Sequence, residues 1–196
     1  WQIETISSEG YLSNEPSLAL DSADRPHISY FDYGASYDLK YTHLDGTDWQ
    51  IATVDSGRDV GWHDTSLALD TAGLPHISYY DETNGDYSLN SYLKYAHFDG
   101  AAWQIETIYG SDYSLLGVIG YVAVSLAVDA QGHPHINFFD WAGSNLKYAH
   151  FDGMAWQSDV IDNIGSVGLY NSLALDAMGR PHVSYFDETN DDLKYA

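Results

Sequence analysis

The sequence predicts an all-β chain, a four-bladed β-propeller of four-stranded antiparallel blades, on three observations. One text returns four times along 196 residues, each copy holds four short strand candidates, and no segment keeps a helical period. About fifty residues and four antiparallel strands per copy is the arithmetic of a propeller blade. The whole chain, 1–196, reads as a single domain.

The outermost strand of each blade opens on tryptophan. WQIETI, WQIATV, WQIETI and WQSDVI begin at Trp1, Trp49, Trp103 and Trp156, at intervals of 48, 54 and 53 residues. Gln, Glu and Thr mix there with apolar residues, which suits a rim. Trp49, Trp103 and Trp156 are expected to be buried anchors of their blades.

The innermost strand is SLALD, repeated as SLAVD once. Small Ser and Ala at alternate positions suit the crowded axis. The next strand is PHISYFD, PHISYYD, PHINFFD or PHVSYFD, rich in β-formers. Between the two stands D-x-x-G-x-P, opened by Asp21, Asp70, Asp129 and Asp176. An Asp first and a Gly fourth suit a type I turn followed by a left-handed residue. Asp24 replaces that Gly in the first copy, and Asp tolerates positive φ better than most residues. The third strand, LKYTHLD or LKYAHFD, meets the outer one through Asp-Gly-x-x-Trp, a second hairpin signal.

The chain starts on a fourth strand and stops on a third. Pairing of the N-terminal strand, residues 1–6, with the C-terminal strand, residues 193–196, is expected to close the ring and remove an open sheet edge. The competing reading makes the chain half of an eight-bladed ring or a stretch of a longer protein. Opening on Trp1 rather than Met, the chain is expected to be processed, cut from something longer, or engineered, and it is expected to be a monomer or part of a larger secreted protein.

Composition excludes several functions. Seven Lys and Arg stand against 29 Asp and Glu, a formal charge of −22. Phosphate recognition needs clustered cations, so nucleic acid is not an expected partner. No apolar run approaches the roughly 18 residues of a membrane span. Without cysteine there is no disulfide framework, thiolate metal site or thiol nucleophile.

The repeat S-L-A-L-D-x-x-G-x-P-H-I-S-Y-Y-D…L-K-Y-A-x-x-D-G-x-x-W resembles a largely uncharacterised repeat of secreted bacterial propeller proteins. The resemblance implies the fold and an extracellular or periplasmic setting, and no activity. More loosely, D-G-x-x-W is similar to the Asp-box repeats of sialidases and to propeller-lectin blades. The leading Ser-x-Asp of the Asp-box is missing. A sialidase also needs converging arginines, and Arg25, Arg58 and Arg180 fall on opposite faces.

Other constellations read as structure. His27, His76, His135 and His182 recur once per blade, away from the axis, and are expected to pack between blades and bond to backbone. Lys40, Lys94, Lys147 and Lys194 are the only lysines. They are expected to pair with Asp32, Asp81, Asp140 and Asp187, fixing register. Asp21, Asp70, Asp129 and Asp176 end the innermost strands, where hard oxygen ligands could hold Ca²⁺ on the axis. The reading without a cofactor is preferred, because D-x-x-G turns already use these side chains as backbone acceptors.

The functional signal lies in what the repeat does not explain. Nine tyrosines fall outside it, Tyr11, Tyr33, Tyr37, Tyr87, Tyr92, Tyr109, Tyr113, Tyr121 and Tyr170, and so do Trp62 and Trp141. All lie in second-to-third strand loops or in connections between blades. Both loop types emerge on one face, mixed with carboxylates, and such loops on a rigid scaffold are where binding residues gather. Flat aromatics beside carboxylates suit sugar rings. The expected activity is therefore non-catalytic carbohydrate binding outside the cell, through Trp62, Trp141, Tyr11, Tyr121, Tyr170, Tyr33, Glu82 and Glu188. A protein-binding scaffold is the alternative. A glycoside hydrolase using Glu82 and Glu188 ranks third, since these two fall in opposite blades and the chemistry needs carboxyls roughly 5–10 Å apart.

Overall fold

A computed structural model gives the architecture. It describes residues 1–7, 16–32, 37–56, 60–81, 91–111 and 123–196, with the backbone course alone for 60–63, 91 and 111. Among the described residues fifteen strands form four antiparallel sheets, each wound in chain order. Blade one holds β1 (Ser17–Leu20), β2 (Pro26–Asp32), β3 (Asp38–Asp45) and β4 (Asp48–Asp55). Blade two holds β5 (Val60–Leu69), β6 (Pro75–Asp81), β7 (Ser91–Phe98) and β8 (Trp103–Ser111). Blade three holds β9 (Val124–Val128), β10 (Pro134–Asp140), β11 (Asn145–Phe151) and β12 (Trp156–Asp162). Blade four holds β13 (Val167–Leu175), β14 (Pro181–Asp187) and β15 (Asp192–Tyr195). The all-β, four-bladed propeller expected from the repeat is what the chain forms.

Both hairpin signals act as their residues require. Asp70 Oδ1 accepts the N–H groups of Ala72 and Leu74 at 2.8 Å, and Gly73 turns left-handed at φ +79. Asp24 takes the same place at φ +59 in blade one. In the outer hairpins Asp99 and Asp152 collect two N–H groups each, over Gly100 and Gly153 at φ +93.

Neighbouring blades are stitched along their inner strands. Ser17 Oγ accepts the Leu67 N–H, Ser66 the Leu126 N–H and Ser125 the Leu173 N–H, all at 3.0 Å. Leucines then fill the gaps between blades. Leu67 packs with Leu39 and Tyr41, Leu126 with Leu93 and Tyr95, and Leu173 with Leu146. The core is thus three copies of one interface.

One expectation needs correction. Trp49, Trp103 and Trp156 are half-buried rather than buried. Each lies on an outer strand, so one side of the indole stays in solvent. Trp103 meets the Tyr41 ring edge-on at 5.3 Å, and Trp156 meets Tyr95 in the same geometry. The expected pairing of residues 1–6 with 193–196 is not among the strand pairings of the described residues. Residues 1–7 carry no strand, and β15 pairs with β14 alone. Among the described residues the inner strands pack in the sequence β1, β5, β9, β13, with no comparable packing of β13 on β1. Glu4 nevertheless accepts the Trp49 indole N–H at 3.0 Å, as Glu106 accepts that of Trp156 at 3.1 Å. The N-terminal segment therefore stands where an outer strand preceding blade one would stand.

Candidate functional site on the loop face

The strand ends that lead into the second-to-third strand loops and the blade connections lie on one face, opposite the two sets of short turns. Just below this face lies a ring of lysine straps. Lys94 reaches Asp55 of blade one at 3.1 Å and Asp81 of its own blade more closely. Lys147 holds Asp140 at 2.9 Å and donates to the Tyr109 hydroxyl of blade two at 2.7 Å. Lys194 holds Asp187 at 2.7 Å and Asp162 of blade three at 3.0 Å. Lys40 pairs with Asp38 at 2.8 Å and donates to Thr53. The expected Lys–Asp pairs are thus present in blades two, three and four, and each also ties a blade to its predecessor.

Electrostatics keep the straps charged. Burial pulls Lys94 down, but hydrogen bonds and charges from Asp81 and Asp55 outweigh it and hold its ammonium above the ordinary lysine range. Burial likewise opposes Lys147, and the Tyr109 and Asp140 contacts reverse the shift. Hydrogen bonds from Lys194 and Asn190 bring the Asp187 carboxyl down to about 2. All four lysines are committed to carboxylates of the blades.

Tyr109 is a strut rather than the loop aromatic expected from its text. It follows Trp103 by six residues, as Asp55 follows Trp49 and Asp162 follows Trp156. It belongs to β8 and braces Lys147 of the next blade. Tyr92 lies in β7 and Tyr170 in β13, because the strands run further into the loop face than the repeat text alone implies.

The structure separates the predicted site residues. Tyr11, Tyr33, Glu82 and Tyr121 lie outside the described residues, and Trp62 is placed only as a backbone position in β5. Trp141 is half-buried, meets Phe139 edge-on at 4.8 Å and packs on the core of blades two and three. Its indole N–H is buried without a partner among the described residues. Trp141 is therefore more wedge than platform.

Tyr170 stands out, 59% exposed. It sits where the β13–β14 register slips between Leu169 and Ser172, and its backbone is left-handed at φ +49. A bulge of this kind lifts one side chain out of the ladder and re-aims it. Neighbouring Asn171 turns inward instead. Its amide donates to the Ala123 and Gly168 carbonyls and its oxygen accepts from Asn137 at 2.7 Å, which fixes the bulge. The slip between Val60 and Thr65 shows that β5, which carries Trp62, is bulged at the corresponding entry to blade two.

Beyond Tyr170, at the loop end of blade four, Glu188 accepts the Ser166 hydroxyl at 2.9 Å while Thr189 accepts the Ser166 N–H at 2.8 Å. Gly165, at φ +96, allows this close approach, since a Cβ there would meet the Thr189 hydroxyl at 2.5 Å. Glu188 is exposed and held.

The opposite face is uniform. Each blade aligns an aspartate, a histidine and a tyrosine: His76 Nδ1 bonds the Tyr95 hydroxyl at 2.5 Å while its Nε2 lies 3.6 Å from Asp70. The partner is thus a tyrosine hydroxyl rather than the backbone. Burial lowers the basicity of His27, His76 and His135. Among the described residues no three histidine, aspartate or glutamate side chains are grouped to hold a metal ion. Asp21, Asp70, Asp129 and Asp176 accept backbone N–H groups in their turns.

No family model matches the chain, and no curated protein does either. Solved structures match its shape. A triple arginine-to-alanine mutant of AofleA from Arthrobotrys oligospora aligns at a TM-score of 0.60 and 11% identity, over 92% of this chain and 52% of that one. An α-L-arabinanase of Penicillium chrysogenum complexed with arabinobiose aligns at 0.59 and 11%, over 92% and 60%. A polysaccharide lyase, an ulvan lyase bound to an oligosaccharide, aligns at 0.56 and 12%, over 88% and 50%. The chain spans about half the length of these proteins. At such identity the likeness establishes the fold, and the fold is a β-propeller.

Proposed function

We propose that this propeller is a non-catalytic carbohydrate-binding module acting outside the cell, with its ligand on the loop face. The observation that carries the reading is Tyr170, an exposed aromatic ring in a bulged, left-handed backbone that Asn171 pins from within. Unfavourable backbone held in place around an exposed side chain is a pointer to function. The ring offers a stacking plane, and Glu188 with Ser166 supplies hydrogen-bonding groups in the same blade. Trp62, Tyr11, Tyr33, Tyr121 and Glu82 would add further sites of unequal quality on the same face, and affinity would come from engaging several along a polymer. Propellers complexed with arabinobiose and with a sulfated oligosaccharide support the reading by analogy of fold.

The test is a glycan array followed by titration of the best ligand against the unmodified chain, Tyr170→Ala and Trp62→Ala. Affinity at least tenfold weaker in either variant, about 1.4 kcal/mol, supports the site. Binding unchanged in both removes these residues from it. A chain that binds no glycan favours the protein-binding scaffold instead.

A further inference from the structure

Six of the seven lysines and arginines are held by carboxylates of the blades. The four lysines form the straps beneath the loop face. Arg25 and Arg180 lie in turns on the opposite face, paired with Asp21 at 2.7 Å and Asp176 at 2.6 Å. The seventh, Arg58, lies outside the described residues. In the sequence, the segments that join described strands on the loop face carry six carboxylates, Asp59, Glu82, Asp86, Asp112, Glu188 and Asp191, against Arg58 as their one Lys or Arg. A glycan bearing carboxylates or sulfates needs cations placed at its charges. This face is built to repel one.

We infer that the ligand, on the reading above that this face binds carbohydrate, is a glycan bearing protonated amines, a polymer of unacetylated amino sugars, held at blade four by Tyr170 and Glu188. The two side chains belong to one corner. The exposed Tyr170 ring leans on Phe186 with centroids 6.3 Å apart, and Glu188 follows Phe186 by two residues, about 7 Å of extended chain. One short oligosaccharide can touch both. The ring supplies a face that stacks on sugar C–H groups and attracts an ammonium. Glu188 supplies the opposite charge. Its backbone N–H donates to the Ser166 carbonyl at 2.9 Å and its Oε2 accepts the Ser166 hydroxyl, so the carboxylate is fixed before the ligand arrives. A carboxylate has acceptor sites for about four donors, which leaves capacity for an amine beside Ser166. Lys194 bridges Asp187 and Asp162 rather than neutralising Glu188. The remaining carboxylates raise the local concentration of a polycation.

The probes are short oligomers of glucosamine, with free amines and fully N-acetylated, beside a uronate oligomer and an oligolysine of matched charge. Calorimetric titration of the unmodified chain should favour the free-amine sugar over the acetylated one by roughly fivefold or more, with the uronate weakest. Added salt should narrow that preference. Glu188→Gln should at least halve it, and Tyr170→Ala should weaken both sugars. Equal binding of the two forms, tighter binding of the acetylated or uronate form, or a ligand found only among other neutral sugars overturns the inference and leaves the carbohydrate reading standing. Oligolysine bound as tightly as the free-amine sugar would show that charge alone acts, and overturns it too. So does a preference that neither variant moves. A chain that binds no glycan at all overturns both.

Discussion

Trp156 on the outer strand of blade three donates its indole N–H to Glu106 on the outer strand of blade two, 3.1 Å away. The same indole lies edge-on against Tyr95. One side chain thus joins two blades at the rim by a polar contact and an aromatic one. Trp103 keeps the aromatic contact, but Ala52 stands where its glutamate would be.

Removing these contacts should separate their worth. Trp156→Ala should destabilise the chain by roughly 2–4 kcal/mol, below the loss from a fully buried indole. Glu106→Gln should cost no more than about 0.5 kcal/mol, because the hydrogen bond is exposed. Urea unfolding is the measurement. A Trp156→Ala loss below that of Glu106→Gln would show that the rim tryptophan does not anchor the blade.

Two buried serines at one repeat position should respond oppositely. Ser29 Oγ bonds Thr65 Oγ1 across the blade interface at 2.8 Å. In blade two the same position is Ser78, whose hydroxyl is buried without a partner among the described residues, since Val124 replaces the threonine. Ser29→Ala strands Thr65 and should cost about 1–2 kcal/mol. Ser78→Ala removes an unpaired hydroxyl and should be neutral or stabilising by up to about 1 kcal/mol. Equal losses in the two variants would refute the pairing.

Stability should fall between pH 7.5 and 5.5. Burial holds His27, His76 and His135 below the ordinary imidazole value near 6.5. The unfolded chain therefore binds protons first, and the folded state loses ground as pH drops through 6.5 toward the folded values. The carboxylates act lower down. Asp187, at about 2 when folded, withdraws its contribution only as pH falls below about 4. The lysines lifted by their carboxylates, Lys94, Lys147 and Lys194, keep theirs until the pH exceeds the lysine range. Urea midpoints that stay level or rise from pH 7.5 to 5.5 would contradict buried neutral histidines.

Trp141→Ala should be a stability variant rather than a binding one. The ring packs on the core of blades two and three, so its loss should cost about 2–4 kcal/mol. Glycan affinity, measured on the folded fraction, should change less than twofold. A tenfold loss of affinity with unchanged stability would return Trp141 to the ligand site.

Strand order, both hairpin types and the lysine pairs of three blades were legible in the sequence, because they depend on residues near in the chain and on a repeat that states them four times. Asp24 was readable as a left-handed turn residue for the same reason. Tyr109 was readable in principle from its six-residue spacing after Trp103, but its role needed Lys147, which lies in the next blade. Only the tertiary structure decided which aromatics face solvent. Trp141 and Tyr170 are alike as text, yet one is pressed against Phe139 and the other is lifted by a bulge that Asn171 and Asn137 hold from two different blades. Closure was decided at the same level. Pairing residues 1–6 with 193–196 satisfies every local rule of strand chemistry, but whether those edges meet depends on the angle between blades summed over the whole arc. That angle is set by side chains packing between blades, and no single repeat contains it.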